Sequence, residues 1–163
     1  MEAGEVKLLG YTSHTEEMSA FVPKDPNYES RVRAVIQLQS AMQTIGAGIV
    51  SVKPGIVQLQ MPFDPRFSQQ HGYLHAAIGT MLVDTACGCA AISLSPAGCN
   101  VLTVEYKVNF LNPAQGKTFI ATGEVVKQGK TLTVCSGTVV AVKEDGTSSD
   151  IASMLTTMMI LPG

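Results

Sequence analysis

Residues 69–94 read QQHGYLHAAIGTMLVDTACGCAAISL. From His75 onward the segment is small or apolar on every side and carries one charge, Asp84. At about 3.6 residues per turn it makes more than five helical turns. A helix that is apolar all round is either enclosed by its own fold or lies in a membrane. The membrane option fails on its residues: Asp84 near the centre would cost about 2.5–3.5 kcal/mol, and no Lys or Arg cluster flanks the segment. The stretch therefore predicts a core helix over roughly 75–94. It leaves a question: why is one carboxylate kept inside it?

The flanking sequence supplies the enclosure. In VLTVEYKVNFL (101–111), Leu102, Val104, Tyr106, Val108 and Phe110 are apolar, and the odd positions Thr103, Glu105, Lys107 and Asn109 are polar. That period of two predicts a strand with one buried face. Two further strands, about 117–128 and 131–143, flank Gly129. Asp145-Gly146 then turns the chain into a last strand over about 148–160. Upstream, strands at about 47–53 and 56–62 are joined by Pro54-Gly55. Before them Ser30 precedes RVRAVIQLQSAMQTIG, whose apolar spacing predicts one helix ended by Gly46. Residues 1–28, with Pro23 and Pro26, predict a loose N-terminal arm, and 29–163 one domain. The expected fold class is α+β: an antiparallel sheet wrapped around a long central helix.

Composition narrows the function. The 163 residues are 45% hydrophobic and only 15% charged, which suggests that apolar surface is covered by another copy of the chain. With 11 basic against 13 acidic residues there is no footprint for nucleic acid, and no basic amphipathic stretch argues for membrane insertion. The acidic N-terminus, MEAGEVKLLGYTSHTEEM, lacks the apolar core of a secretory signal, so the expected location is cytoplasmic. Cys87, Cys89, Cys99 and Cys135 form no C-x-x-C pair and read as small buried thiols of a reducing compartment, with no metal site.

Two motifs point further. The run Q-x-H-G-Y-L-H-A-A-x6-D-T-A-x-G (69–88) and the later L-T-V-E-Y-K-V-N-F-L-N-P-A (102–114) resemble, in order and in setting, those of the hot-dog acyl-CoA thioesterases of the phenylacetate-degradation (PaaI-like) type. The resemblance covers roughly residues 30–160. It implies a hot-dog fold and hydrolysis of an acyl-CoA thioester to free acid and CoA. It implies no cofactor, and a homo-oligomer of two chains at least, extending to a dimer of dimers. It also assigns roles. Asp84 is the nucleophile or general base, the Ala76 backbone amide polarises the thioester carbonyl, Thr103 orients the attacking water, and Gln69 contacts carbonyl or water. The family's paired glycines after the motif His are Ala76 and Ala77 here; an alanine N–H donates equally well, although its methyl group narrows the approach. The family's upstream Asn is Gln69, an amide on a longer arm.

Elementary chemistry agrees with these roles. Thioester hydrolysis needs a group that attacks or activates water, and a donor for the developing oxyanion. The first amides of a helix lack intrahelical partners and sit at its positive end, which suits Ala76. Ala76 and Asp84 lie eight residues apart, roughly 12 Å along a helix, so one carbonyl carbon cannot reach both. The expected site therefore joins Ala76 of one chain to Asp84 of another across a two-fold axis. His75 is expected to cap or pack the helix start, and His71 and Gly72 to shape the loop beside the substrate. Lys127 and Lys130 in VVKQGKT suit the phosphates of CoA, although turn lysines are more often simply solvated. Two other readings stay open: a non-catalytic acyl-CoA sensor using the same pocket, and a hot-dog dehydratase, whose H-F-P motif is absent. Acyl preference, and CoA against acyl-carrier protein, are not legible.

Overall fold

The computed structural model describes residues 21–163. The first twenty residues of the predicted arm, His14 among them, lie outside the described residues. Helices α1 (Tyr28–Leu38) and α2 (Ser40–Thr44) precede strands β1 (Gly48–Lys53) and β2 (Ile56–Pro62). A 3₁₀ turn (Pro65–Phe67) leads to α3 (Ala76–Leu94), and strands β3 (Asn100–Phe110), β4 (Thr118–Gln128), β5 (Leu132–Val142) and β6 (Ser148–Leu161) follow. The six strands form one antiparallel sheet in the order β1-β2-β4-β5-β6-β3. It curls around α3, which is the hot-dog fold.

Glycines let the helix sit deep in that sheet. Gly123 of β4 and Gly137 of β5 are register partners. A Cβ on Gly123 would lie 2.3 Å from the backbone of Ala86 and Cys87, and one on Gly137 2.4 Å from Val83 Cγ2. Only a strand without side chains there admits so close a helix backbone. Leu82, Val83, Ala86, Cys87 and Ala90 are then buried against Leu59, Phe119, Val125, Cys135 and Val139. α3 is long and apolar enough to cross a membrane, yet two-thirds of it is buried inside the protein, as a core helix is.

Two local expectations are corrected. The single helix predicted after Ser30 is broken at Gln39, whose ψ of 100° is extended. Ile36 and Met42 are six residues apart, out of phase with a 3.6-residue turn, and the break lets both reach the core. Gly46, at φ 67°, ends the second piece as expected. β3 is the larger correction. Its apolar positions are not a buried face: Leu102, Val104, Tyr106 and Phe110 are all about half exposed on this edge strand, where a register slip at Val104 breaks the alternation and Tyr106 and Phe110 face an open groove.

Arg31 on α1 closes the far end of α3. Its guanidinium donates to the carbonyls of Ile92 (2.6 Å), Ser95 (2.8 Å) and Pro96 (2.5 Å), and pairs with buried Asp25 at 3.2 Å. A cation at a helix C-terminus satisfies the orphan carbonyls and favours the dipole. At the chain's first described residue, Phe21 packs against the core.

Candidate active site

The loop into α3 is built to present its first amides. Gly72, at φ 82°, takes a left-handed turn that favours glycine. Gln69 and Gly72 close that turn with a backbone bond of 2.9 Å, and the Gln69 side-chain oxygen accepts from the His71 N–H. His75 is the N-cap: its Nδ1 accepts from the Ala77 N–H at 3.1 Å, and its carbonyl accepts from the Ile78 N–H at 3.0 Å. The Ala76 N–H comes just before these two and donates to no group among the described residues. A free donor at the positive end of a helix of 19 residues is suited to an oxyanion.

Asp84 sits two turns further along the same side of α3, half-buried, and its Oδ1 accepts from the Thr103 hydroxyl at 2.9 Å. Burial raises the Asp84 carboxyl above its ordinary value, and the Thr103 bond pulls it partly back. Thr103 reaches Asp84 only because of an irregularity. The β3–β6 register slips between Thr103 and Glu105, so Val104 is the extra residue of a β-bulge. The bulge turns Thr103 to the helix side together with Tyr106, Val108 and Phe110. Strict alternation would have set Thr103 opposite them.

An open groove of about 450 Å³ runs along this side of α3, lined by Ala76, Ala77, Thr80, Met81, Asp84, Tyr106, Val108 and Phe110. It brings Ala76 and Asp84 to one surface but not to one point, since eight helical residues span roughly 12 Å. Gln69 and His75 line a second, more enclosed cavity of about 190 Å³, which shares Ala76 and Phe110 with the groove. Lys127 and Lys130 lie beyond the opposite end of α3, where the Gln128 side chain donates to the Leu94 carbonyl at 2.7 Å. One chain therefore does not bring them near its own Ala76. A larger surface cavity of about 590 Å³ beside Phe63, Lys117 and Lys143 holds none of these residues.

The sequence reading missed Thr80, Met81 and Tyr106 as groove walls. Tyr106 was read as core because its strand alternates; nothing in the sequence marks β3 as an edge. Cys87, Cys89 and Cys135 are buried free thiols, and burial pushes Cys89 and Cys135 up to about 12, so they carry no nucleophile at neutral pH.

Comparison with known proteins bears on this geometry. Residues 71–147 match the thioesterase superfamily model. The chain is 49% identical to a thioesterase family protein from Silicibacter pomeroyi and superposes on its crystal structure with a TM-score of 0.82, covering 83% of this chain and 99% of that one. Over 93 residues it is 33% identical to the 1,4-dihydroxy-2-naphthoyl-CoA hydrolase of Listeria monocytogenes, which spans 56% of this chain and 75% of the hydrolase. The PaaI protein of the E. coli phenylacetic acid degradation operon shares the fold, with a TM-score of 0.74 at 21% identity over 84% of this chain and 95% of that one. The chain is a hot-dog-fold member of the thioesterase superfamily, a family of thioester hydrolases.

Proposed function

We propose that the protein is an acyl-CoA thioesterase whose active sites form between two copies of the chain. The observation that carries this is the pairing, along one groove, of an Ala76 N–H that has no partner among the described residues with the Thr103-bonded carboxylate of Asp84, beside a naked apolar strand. The 12 Å between the two groups is bridged when a second chain docks antiparallel across that strand and sets its Asp84 near this chain's Ala76.

In that site the thioester carbonyl oxygen accepts from the Ala76 N–H. Asp84 of the partner takes a proton from water as it attacks, or attacks the carbonyl itself. On the first route the C–S bond then breaks, CoA leaves as the thiol on receiving that proton, and the acyl group leaves as the free acid. On the second, CoA leaves as the thiolate and the acyl group stays on Asp84 as a mixed anhydride, which a water hydrolyses to the free acid, its proton going to the thiolate. Thr103 holds the carboxylate in place through its hydroxyl. Gln69 supports the carbonyl side, Gly72 and His75 hold the loop that forms the site mouth, and Lys127 and Lys130 of the neighbouring chain meet the phosphates of CoA. An antiparallel pairing favours this last role, because it carries the far end of one α3 towards the start of the other. Unpaired, mostly buried cysteines are in keeping with a reducing, cytoplasmic setting.

A panel of acyl-CoAs followed with a thiol-reactive dye tests the reading. Release of free CoA with turnover supports it. Tight acyl-CoA binding without release would identify a sensor instead.

A further inference from the structure

Gly79 is an anomaly. It lies one turn into α3, is buried, and belongs to a residue type that weakens helices more than any other except proline. Gly123 and Gly137 earn their place by admitting the helix backbone. Gly79 does not: a Cβ built on it meets no atom of the described residues within 4 Å. A buried position with nothing beside it borders empty space, and that space is the partly open cavity of about 190 Å³.

The character of this cavity fits one part of a thioester substrate. Among the described residues no Asp, Glu, Lys or Arg lines it, and Leu74, Phe110, Pro113, Ile151 and Ala152 give it apolar walls. Two of the polar groups at its margin are already engaged, since the Asn112 amide donates to the Asp150 carbonyl at 2.8 Å and His75 Nδ1 accepts from Ala77; Gln69 and Tyr73 add polar groups to the same margin. An apolar cavity of roughly 150 Å³ holds a benzene ring, and a water occupies about 30 Å³, so 190 Å³ takes one ring with about one further carbon. Ala76, whose N–H would hold the carbonyl, borders both this cavity and the groove.

We infer that the cavity beside Gly79 is the acyl pocket, that Gly79 sets its depth, and that the preferred acyl groups are single-ring aromatic or aliphatic chains of about six to eight carbons. The inference rests on the thioesterase reading above and adds a specificity-determining residue to it. A Cβ at 79 would enter the pocket without displacing any atom of the described residues, and a longer side chain would extend further into it.

The test compares kcat/KM for benzoyl-, hexanoyl-, naphthoyl-, dodecanoyl- and acetyl-CoA in the wild type, Gly79→Ala and Gly79→Leu. The wild type is expected to favour benzoyl- and hexanoyl-CoA over naphthoyl- and dodecanoyl-CoA. Gly79→Leu is expected to lower the benzoyl-to-acetyl ratio by about 10–200-fold, the range that one or more misfitted carbons produce in an apolar pocket. Gly79→Ala, which favours the helix, should move the same ratio in the same direction by less, and it keeps the test intact if the leucine variant does not fold. A wild type that hydrolyses acyl-CoAs but prefers the bulky ones, or ratios that do not move in either variant, overturns the pocket and leaves the thioesterase reading standing. No turnover of any acyl-CoA overturns both.

Discussion

The sheet has two edges, and they are finished differently. β1 is six residues long, ends in Lys53 and has α1 packed beside it. β3 is eleven residues long, and Leu102, Val104, Tyr106 and Phe110 are left about half exposed along it. Each strand carries one β-bulge, at Val50 and at Val104, and the two valines are 44% and 52% exposed. Short, bulged, charged or covered edges resist pairing with other chains, whereas a long apolar edge invites it. The difference supports the proposal that the β3 edge, unlike the β1 edge, is kept for a partner. The Thr103–Asp84 bond lies under the open edge.

Turnover should separate the two edges most sharply. Asp84→Asn keeps the side-chain volume but removes the base or nucleophile, and kcat should fall by at least about 100-fold with the assembly intact. Ser51→Ala on β1 should leave kcat within about twofold. A steady-state assay with size-exclusion chromatography of both variants checks this pair.

Assembly is the next largest effect. Val104→Lys would bury an unpaired ammonium in the proposed interface and raise the dimer dissociation constant by about 100-fold or more, with activity falling in parallel on dilution. The same change at Val50 should alter neither. Sedimentation over a protein-concentration series compares the two valine sites directly. Equal behaviour would break the contrast between the edges.

The bulge in β3 gives a smaller, pH-dependent effect. Thr103→Val removes a hydrogen bond that favours the charged carboxylate of Asp84, so the acid limb of the kcat/KM profile should move to higher pH. At neutral pH the loss should be about tenfold or less. A pH–rate profile measures it, and a limb that stays in place would detach Thr103 from the function of Asp84.

The smallest effect concerns stability, and its sign is informative. The folded-state value of Asp84 is raised by burial, so the native protein binds that proton more tightly than the unfolded chain does. Stability falls as pH rises from the ordinary carboxylate value of 3.8 through the raised one, and stays lower above it. Asp84→Asn lacks the buried charge, so its Tm should exceed that of the wild type at pH 7.5, and the gap should close as the pH is lowered towards 3.8. Melts at several pH values test this. A structural buried acid would show the reverse, with the Asn variant less stable at neutral pH.

Some of this was legible in the sequence for definite reasons. Nearly twenty apolar residues broken by one charge can be only a few things, so α3 followed from the stretch itself, and Asp84 stood out within it. The Pro54-Gly55 hairpin and the Gly46 stop followed from backbone chemistry that few residues supply. Val104 was not legible as a bulge, because a bulge is a property of the pairing with β6 and leaves no mark in the alternation of β3. For the same reason Thr103 fell on the wrong side of a strict period-two reading, and only the family resemblance pointed it at the site. Gly79 reads as one of several small residues in an apolar helix; only its burial beside a cavity sets it apart from Gly88, which also has open space next to it. Arg31 is hidden in the same way, since a basic residue on an amphipathic helix does not announce that it closes the end of another helix sixty residues away.

The central claim is that Ala76 and Asp84 act together only across two chains, and subunit complementation tests it most directly. Ala76→Pro removes the amide donor at a position that tolerates it: Ala76 is the first residue of α3, where proline is favoured, and His75 has the extended backbone (φ −63°, ψ 135°) that must precede a proline. Ala76→Pro and Asp84→Asn should each be folded, dimeric and nearly inactive alone. After subunit exchange, half the dimers are mixed and each holds one intact site of two, so activity should recover to about a quarter of the wild-type level. A mixture shown by mass spectrometry to have exchanged, yet no more active than the sum of its parents, would contradict the shared site.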